Sequence, residues 1–155
     1  MMKKRAGNIM TKNVVTISPG AEIEQAARLL LEHKFSGLPV VDEENRVVGI
    51  ISEGDLVIRE QEVKAPAFSE VLGGVIFLES QKRFFEELKK TIALTVDQLM
   101  SRKVFTVDEE ATLEQIAKLM SKHEVNRVPV VDADNKLVGI VTRQDIIRQL
   151  TGDKE

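Results

Sequence analysis

Along the chain, short apolar runs alternate with longer stretches in which apolar residues return every three or four positions. Val14-Val15-Thr16-Ile17 is short and β-branched, which predicts a strand. Ser18-Pro19-Gly20 breaks it. Ile23, Ala26, Ala27, Leu30 and Leu31 then recur at helical spacing and predict an amphipathic helix from Ala21 to Lys34. Leu38–Val41 and Val47–Ile51 are two strands around the polar turn Asp42-Glu43-Glu44-Asn45, hence a hairpin. A second helix is predicted from Gly54 to Glu60. The same β-α-β-β-α order returns at Val104–Val107, Thr112–His123, Val128–Val131, Leu137–Val141 and Gln144–Leu150.

The recurrence is a true internal repeat. A shift of 90 residues lays Ile9–Glu60 on Leu99–Leu150 without a gap, and 18 of the 52 pairs are identical. Ordinary residue frequencies would give about 3. A unit of that size buries too little surface to be stable alone. The expected fold is therefore α/β (α+β): two repeats packed around a pseudo-twofold axis, with equivalent clefts where they meet. The implied plan is an N-terminal tail (1–8), a first repeat (9–60), an insert (61–96), a second repeat (97–151) and a C-terminal tail (152–155).

The insert holds four of the six phenylalanines, Phe68, Phe77, Phe84 and Phe85, and Ser80 is placed to cap a helix reaching about Thr91. A flexible linker would be rich in Gly and Ser and poor in aromatics. The insert therefore packs on something, either an edge of its own fold or a partner.

Composition narrows the function. With no cysteine there is no disulfide, thiolate metal site or cysteine nucleophile. No apolar run is long enough to span a membrane. The basic start Met1-Met2-Lys3-Lys4-Arg5 leads into no secretory signal, so a cytoplasmic protein is expected. A net charge of −3 and the lack of a basic face with aromatics argue against nucleic acid. The charge is uneven: residues 9–60 carry 5 basic and 9 acidic side chains, residues 99–150 carry 8 of each. His33 and His123 end the long helix of each repeat, where a cation suits the helix dipole; two histidines make a thin metal site, and none is expected. No hydrolase or phosphate-loop motif occurs, and catalysis is not expected.

The chemistry concentrates in Gly49-Ile50-Ile51-Ser52-Glu53-Gly54-Asp55 and its counterpart Gly139-Ile140-Val141-Thr142-Arg143-Gln144-Asp145. Each sets a hydroxyl at the mouth of a helix, with a carboxylate three residues on. A helix mouth favours phosphate, and a carboxylate offers acceptors suited to two ribose hydroxyls. The glycine within each strand admits a close approach to the backbone. Ser/Thr-x-x-Asp is equally a helix capping box. An aspartate folded back on its own helix is expected to be lost to a ribose, so the two readings exclude each other and both stay open.

The string Gly37-Leu38-Pro39-Val40-Val41-Asp42 through Asp55, repeated from Arg127-Val128-Pro129-Val130-Val131-Asp132 through Asp145, resembles the CBS domain, named after cystathionine β-synthase. The openings Ile9-Met10-Thr11-Lys12 and Leu99-Met100-Ser101-Arg102 fit the same pattern. The resemblance covers both repeats and not the insert. It implies a tandem pair, a Bateman module, with two crossed clefts, each built by both copies. One site combines Thr106, Asn126, Arg127, Val128 and Pro129 with Ser52 and Asp55. The other combines Thr16, Ser36, Gly37, Leu38 and Pro39 with Thr142, Arg143 and Asp145. The aspartate would hold a ribose, the hydroxyl and helix mouth a phosphate, and the first strand the adenine.

The resemblance implies a regulatory module that binds AMP, ADP, ATP or S-adenosylmethionine, assembles as a homodimer and signals to an effector protein. A ligand-free interaction scaffold of the same fold is the alternative. Arg127 stands where the first copy has Gly37. A guanidinium beside a helix mouth binds phosphate strongly, so the cleft with Ser52 and Asp55 is expected to be the phosphate site and the one with Gly37 to lack that cation, unless Arg127 is an ordinary surface arginine.

Overall fold

The computed structural model describes residues 4–56 and 94–152. Its elements in chain order are α1 (Ala6–Ile9), α2 (Ile23–His33), β1 (Gly37–Val41), β2 (Val47–Ser52), α3 (Val96–Leu99), α4 (Leu113–His123), β3 (Arg127–Val131), β4 (Leu137–Thr142) and α5 (Arg143–Thr151). The helix expected over Gly54–Glu60 begins at Glu53. Its end lies outside the described residues, as does the helix expected from Ser80.

Both hairpins form as their alternation demands. β1 pairs antiparallel with β2 and β3 with β4, with the same register in the two copies and a bulge at the same place, Val40/Val41 and Val130/Val131. Val47, Gly49 and Ile51 of β2 face inward and their neighbours lie at the margin, the signature of a half-covered strand. Each turn runs through an asparagine in the left-handed region, Asn45 and Asn135, both at φ 64°, a conformation asparagine tolerates better than most residues.

The long helices bury one face. Ala26 and Leu30 of α2, and Ile116 and Met120 of α4, pack on the hairpins. Full burial of an aliphatic side chain contributes about 1.5–3 kcal/mol. Leu31, expected on that face, points outward and is 79 % exposed. Both helices stop at a left-handed residue, Lys34 (φ 56°) and Glu124 (φ 54°). The next residue's N–H reaches back to the last turn, Phe35 to Leu30 O at 3.0 Å and Val125 to Met120 O at 3.1 Å, which closes orphan carbonyls in the Schellman manner.

The first predicted strand of each repeat, Val14–Ile17 and Val104–Val107, is corrected. Only Ile17 and Val107 form a parallel bridge, to Val40 and Val130. The reason is Pro39. Ile17 N–H donates to Pro39 O and Val41 N–H donates to Ile17 O. The next rung would need an N–H on residue 39, which proline lacks. Pro129 ends the ladder at Val107 in the same way. Residues 14–16 therefore peel away from the hairpin.

Contacts between the copies are reciprocal. Asn45 Nδ2 donates to Leu137 O and Asn135 Nδ2 to Val47 O, both at 3.0 Å. Thr11 pairs with Ile140, and Ser101 with Ile50. A contact from i to j is matched by one from i+90 to j−90, which only a twofold relation produces. The opening helices are exchanged across this axis. Ala6 N–H donates to Ala111 O at 2.8 Å, and Val96 N–H to Ala21 O at 2.9 Å. Ala6 thus completes the core of the second copy, and Val96 with Met100 that of the first. Neither unit is closed without its twin.

Candidate functional site

The strand glycines find their use at this exchange. A Cβ on Gly139 would run into Met10 Sδ, and one on Gly49 would lie 2.5 Å from Met100 Sδ and 2.9 Å from Ser101 O. The close neighbour is thus a methionine of the exchanged opening segment. These glycines serve the joining of the copies, and the cleft lies beside that joint.

The cleft encloses about 630 Å³, within the size range of small-molecule sites. Its walls come from both copies. Val14 and Val15, freed from the sheet by Pro39, and the segment Lys34–Gly37 form one side; Thr142, Arg143, Gln144, Asp145 and Arg148, at and just inside the mouth of α5, form the other. Of the residues assigned from the sequence to the Gly37 site, Ser36, Gly37, Pro39, Thr142, Arg143 and Asp145 line it. Thr16 is not on the wall. Leu38 is fully buried in the core of its copy, as is Val128 in the other. These two are corrected to packing residues, since their side chains turn from the cleft toward the helices.

Thr142 and Asp145 form a closed cap. Thr142 N–H donates to Asp145 Oδ2 at 2.8 Å, and Asp145 N–H donates to Thr142 Oγ1 at 3.3 Å. Ser52 N–H likewise donates to Asp55 Oδ2 at 2.8 Å. The aspartate thus folds back on its own helix in both copies, but the reciprocal hydroxyl cap is formed at Thr142, whereas Ser52 Oγ donates to Asp55 Oδ2 at 3.1 Å. The strict opposition between cap and ligand group is too severe, because the cap engages Oδ2 and a carboxylate has two oxygens. Asp145 Oδ1 faces Arg148 Nη1 at 3.8 Å.

Arg127 departs most from expectation. Its guanidinium crosses the axis, donating from Nη1 to Gly37 O at 2.6 Å and from Nη2 to Ser36 Oγ at 2.5 Å. It lines the cleft of Thr142 and Asp145, and Asn126 comes with it. The sequence assigns this cation to the cleft of Thr106, Pro129, Ser52 and Asp55; an arginine is long enough to reach past the side on which its backbone starts, and its guanidinium borders the cleft of Thr142 and Asp145. Burial lowers the Arg127 pKa, and the nearby Glu53 carboxylate partly restores it. At neutral pH the group stays charged.

The cleft also gathers side chains that motif reading passed over: His33, Lys34, Phe35 and Arg148. His33 stacks on Phe35 with centroids 5.3 Å apart. Four cations, Lys34, Arg127, Arg143 and Arg148, face two carboxylates, Glu53 and Asp145. Among the described residues no group of three metal-binding side chains occurs, and no helix is long and apolar enough to cross a membrane.

A duplicated α+β unit, intertwined through its opening helices and enclosing a cleft shared by the copies, defines a tandem repeat pair. The chain belongs to the CBS domain family, whose pattern matches residues 6–61 and 96–152. It is 32 % identical over 153 residues to the chloroplastic CBS domain-containing protein CBSX1 of Arabidopsis thaliana, covering 92 % of this chain and 62 % of that one; the match thus spans about three fifths of that relative. Among solved structures it is similar to CBSX2 in complex with AMP (TM-score 0.74, 29 % identity, 98 % and 99 % of the two chains). It is also similar to the CBS domain pair of protein MJ0100 in complex with 5′-methylthioadenosine and S-adenosyl-L-methionine (TM-score 0.70, 28 % identity, 99 % and 100 %).

Proposed function

We propose that the chain is a regulatory module that binds an adenosine nucleotide in the cleft between its copies and signals to an effector protein through the change this causes. The observation that carries the reading is that four cations, Lys34, Arg127, Arg143 and Arg148, line one cleft of nucleotide size beside the mouth of α5. The phosphate sits at the mouth of α5 against Arg127 and Arg143, where guanidinium donors and the positive end of the helix dipole add. Asp145 Oδ1 takes a ribose hydroxyl. Val14 and Val15, held off the sheet, offer backbone and apolar surface to the base. Adenosine ligands in the two similar pairs, CBSX2 and MJ0100, support the class of compound. AMP, ADP and ATP are the candidates. Ile147 and Leu150 on α5, 49 % and 81 % exposed, support a homodimer or an effector contact on that helix. A cytoplasmic location remains part of the proposal.

The test is thermal unfolding of the protein with and without each nucleotide. A ligand at a hundred times its Kd stabilises by about 2.7 kcal/mol, a shift of several degrees. Arg127→Ala should remove most of the shift given by AMP. Equal shifts for wild type and Arg127→Ala would sink the site assignment. No shift with any adenosine nucleotide at millimolar concentration would favour a ligand-free scaffold, in which the two caps serve stability alone.

A further inference from the structure

We propose that Lys34 and Arg148 set the charge of the ligand in this cleft, so that it favours phosphorylated adenosine, repels sulfonium adenosine and gives no advantage to thioether adenosine. The inference rests on the nucleotide reading above and goes beyond it to selectivity. Neither residue belongs to the Pro-Val-Val-Asp or Ser/Thr-x-x-Asp motifs.

The repeat supplies an internal control. Lys34 ends α2 in the left-handed region, and its counterpart Glu124 ends α4 in the same conformation, φ 56° and 54°. The fold therefore accepts either charge at this position. Arg143 follows the Thr142 cap, and its counterpart Glu53 follows Ser52; their N–H groups make the same bond, to Asn126 O and Ser36 O. The repeat register gives Ile58 as the counterpart of Arg148 and Gly37 as that of Arg127. Four equivalent positions thus carry Lys, Arg, Arg and Arg toward one cleft and Glu, Gly, Glu and Ile in the other set. At Lys34 against Glu124 and Arg143 against Glu53 the backbone geometry repeats while the charge reverses, so packing does not dictate those cations.

Within the lined cleft, Glu53 faces Arg127 and Asp145 faces Arg148. Four cations less two carboxylates leave two positive charges, and the α5 mouth adds about half a charge more. That balance suits a doubly charged phosphate. It repels a sulfonium centre, and it gives no advantage to a neutral thioether. Lys34 and Arg148 contribute two of the four cations, and both are exposed at the rim, where a long flexible side chain reaches a ligand without disturbing the core.

The experiment is titration calorimetry of the full chain with AMP, ATP, 5′-methylthioadenosine and S-adenosylmethionine in magnesium-free buffer at two salt concentrations. The variant is Lys34→Glu with Arg148→Ile, which installs the counterpart residues. Wild type is expected to bind AMP at least ten times more tightly than S-adenosylmethionine, with an affinity that falls as salt rises. The double variant is expected to lose AMP affinity tenfold or more and to keep 5′-methylthioadenosine within about threefold, at an unchanged melting temperature without ligand. AMP binding unaltered by the double substitution overturns the proposal. Equal binding of all four compounds by wild type overturns it too, while leaving the nucleotide reading intact. Binding of none overturns both.

Discussion

Met10 against Gly139 and Met100 against Gly49 are one contact made twice. Lys34 and Glu124 are one position given opposite charges. The two pairs separate what duplication preserved from what it released. The frame, meaning hairpin registers, exchanged helices and the Asn45 and Asn135 turns, is the same on both sides of the axis. The rim of the cleft is not. A frame residue is constrained by a partner in the other copy, so a change on one side must be answered on the other. A rim residue meets solvent and ligand, and is free to diverge.

The cores test this most severely, because they differ in detail while filling the same space. Ile116 of α4 is fully buried where α2 has Ala26, also fully buried. In return, the first copy has Leu38 and Ile51 where the second has Val128 and Val141. Bulk has moved from hairpin to helix. Ile116→Ala should therefore cost about 2–5 kcal/mol, because no larger hairpin residue waits to fill the gap. The combination with Val128→Leu should recover part of this. Urea unfolding of the single and double variants measures both, and strictly additive effects would show that the two copies do not trade volume in this way.

The shared methionine contact should break less severely, and unequally. The three atoms nearest a carbon added at Gly139 all belong to the Met10 side chain, Sδ, Cγ and Cβ within 3.0 Å. Gly49→Ala meets Met100 and also Ser101 O at 2.9 Å, a carbonyl held by Ile50 N–H at 2.9 Å. A flexible thioether can move; a paired carbonyl cannot. Both substitutions overpack and should cost about 1–3 kcal/mol, Gly49→Ala the more. In a double-mutant cycle, Met10→Ala should relieve most of the Gly139→Ala penalty, and Met100→Ala little of the Gly49→Ala penalty. Equal relief in both cycles would mean that the carbonyl yields as easily as the side chain.

What could be read from the chain follows the same division. The hairpins, the long helices and the twofold pairing are written in periodicity and in the 90-residue repeat. The first strands were not, because their failure depends on a missing N–H at Pro39 and Pro129, one rung away in space and over twenty residues away in sequence. Exchange of α1 and α3 was invisible for a similar reason: Met10 precedes the first repeat's helix and packs with the second. Thr142, Arg143 and Asp145, legible through their motif, line the described cleft. That Arg127 also borders this cleft is not legible from spacing, which places a Cα and not the end of an arginine. Lys34 and Arg148 carried a signal that went unused. Compared column by column, Lys34 against Glu124 and Arg148 against Ile58 mark positions where the copies diverge in charge.

The smallest effect lies at the hairpin turn, where frame and surface meet. Asp42 Oδ1 accepts from Arg46 N–H at 2.9 Å and Glu44 N–H at 3.0 Å, and Asp132 repeats this with Lys136 and Asp134. Only the first copy adds a guanidinium, Arg46 Nε to Asp42 Oδ2 at 3.1 Å. The Asp42 pKa is lowered, first by the Arg46 backbone N–H, with the Arg46 side chain a lesser cause. A carboxylate with a depressed folded-state pKa stabilises above its unfolded pKa and loses that contribution as pH falls through the folded value. The effect is therefore confined to acid pH. Because the main cause is a backbone bond, Arg46→Ala should leave most of the depression in place, and added salt should alter it little. An NMR titration of the Asp42 carboxyl in both proteins decides it: return to an ordinary carboxylate value in Arg46→Ala would transfer the effect from the turn, which the copies share, to the side chain, which they do not.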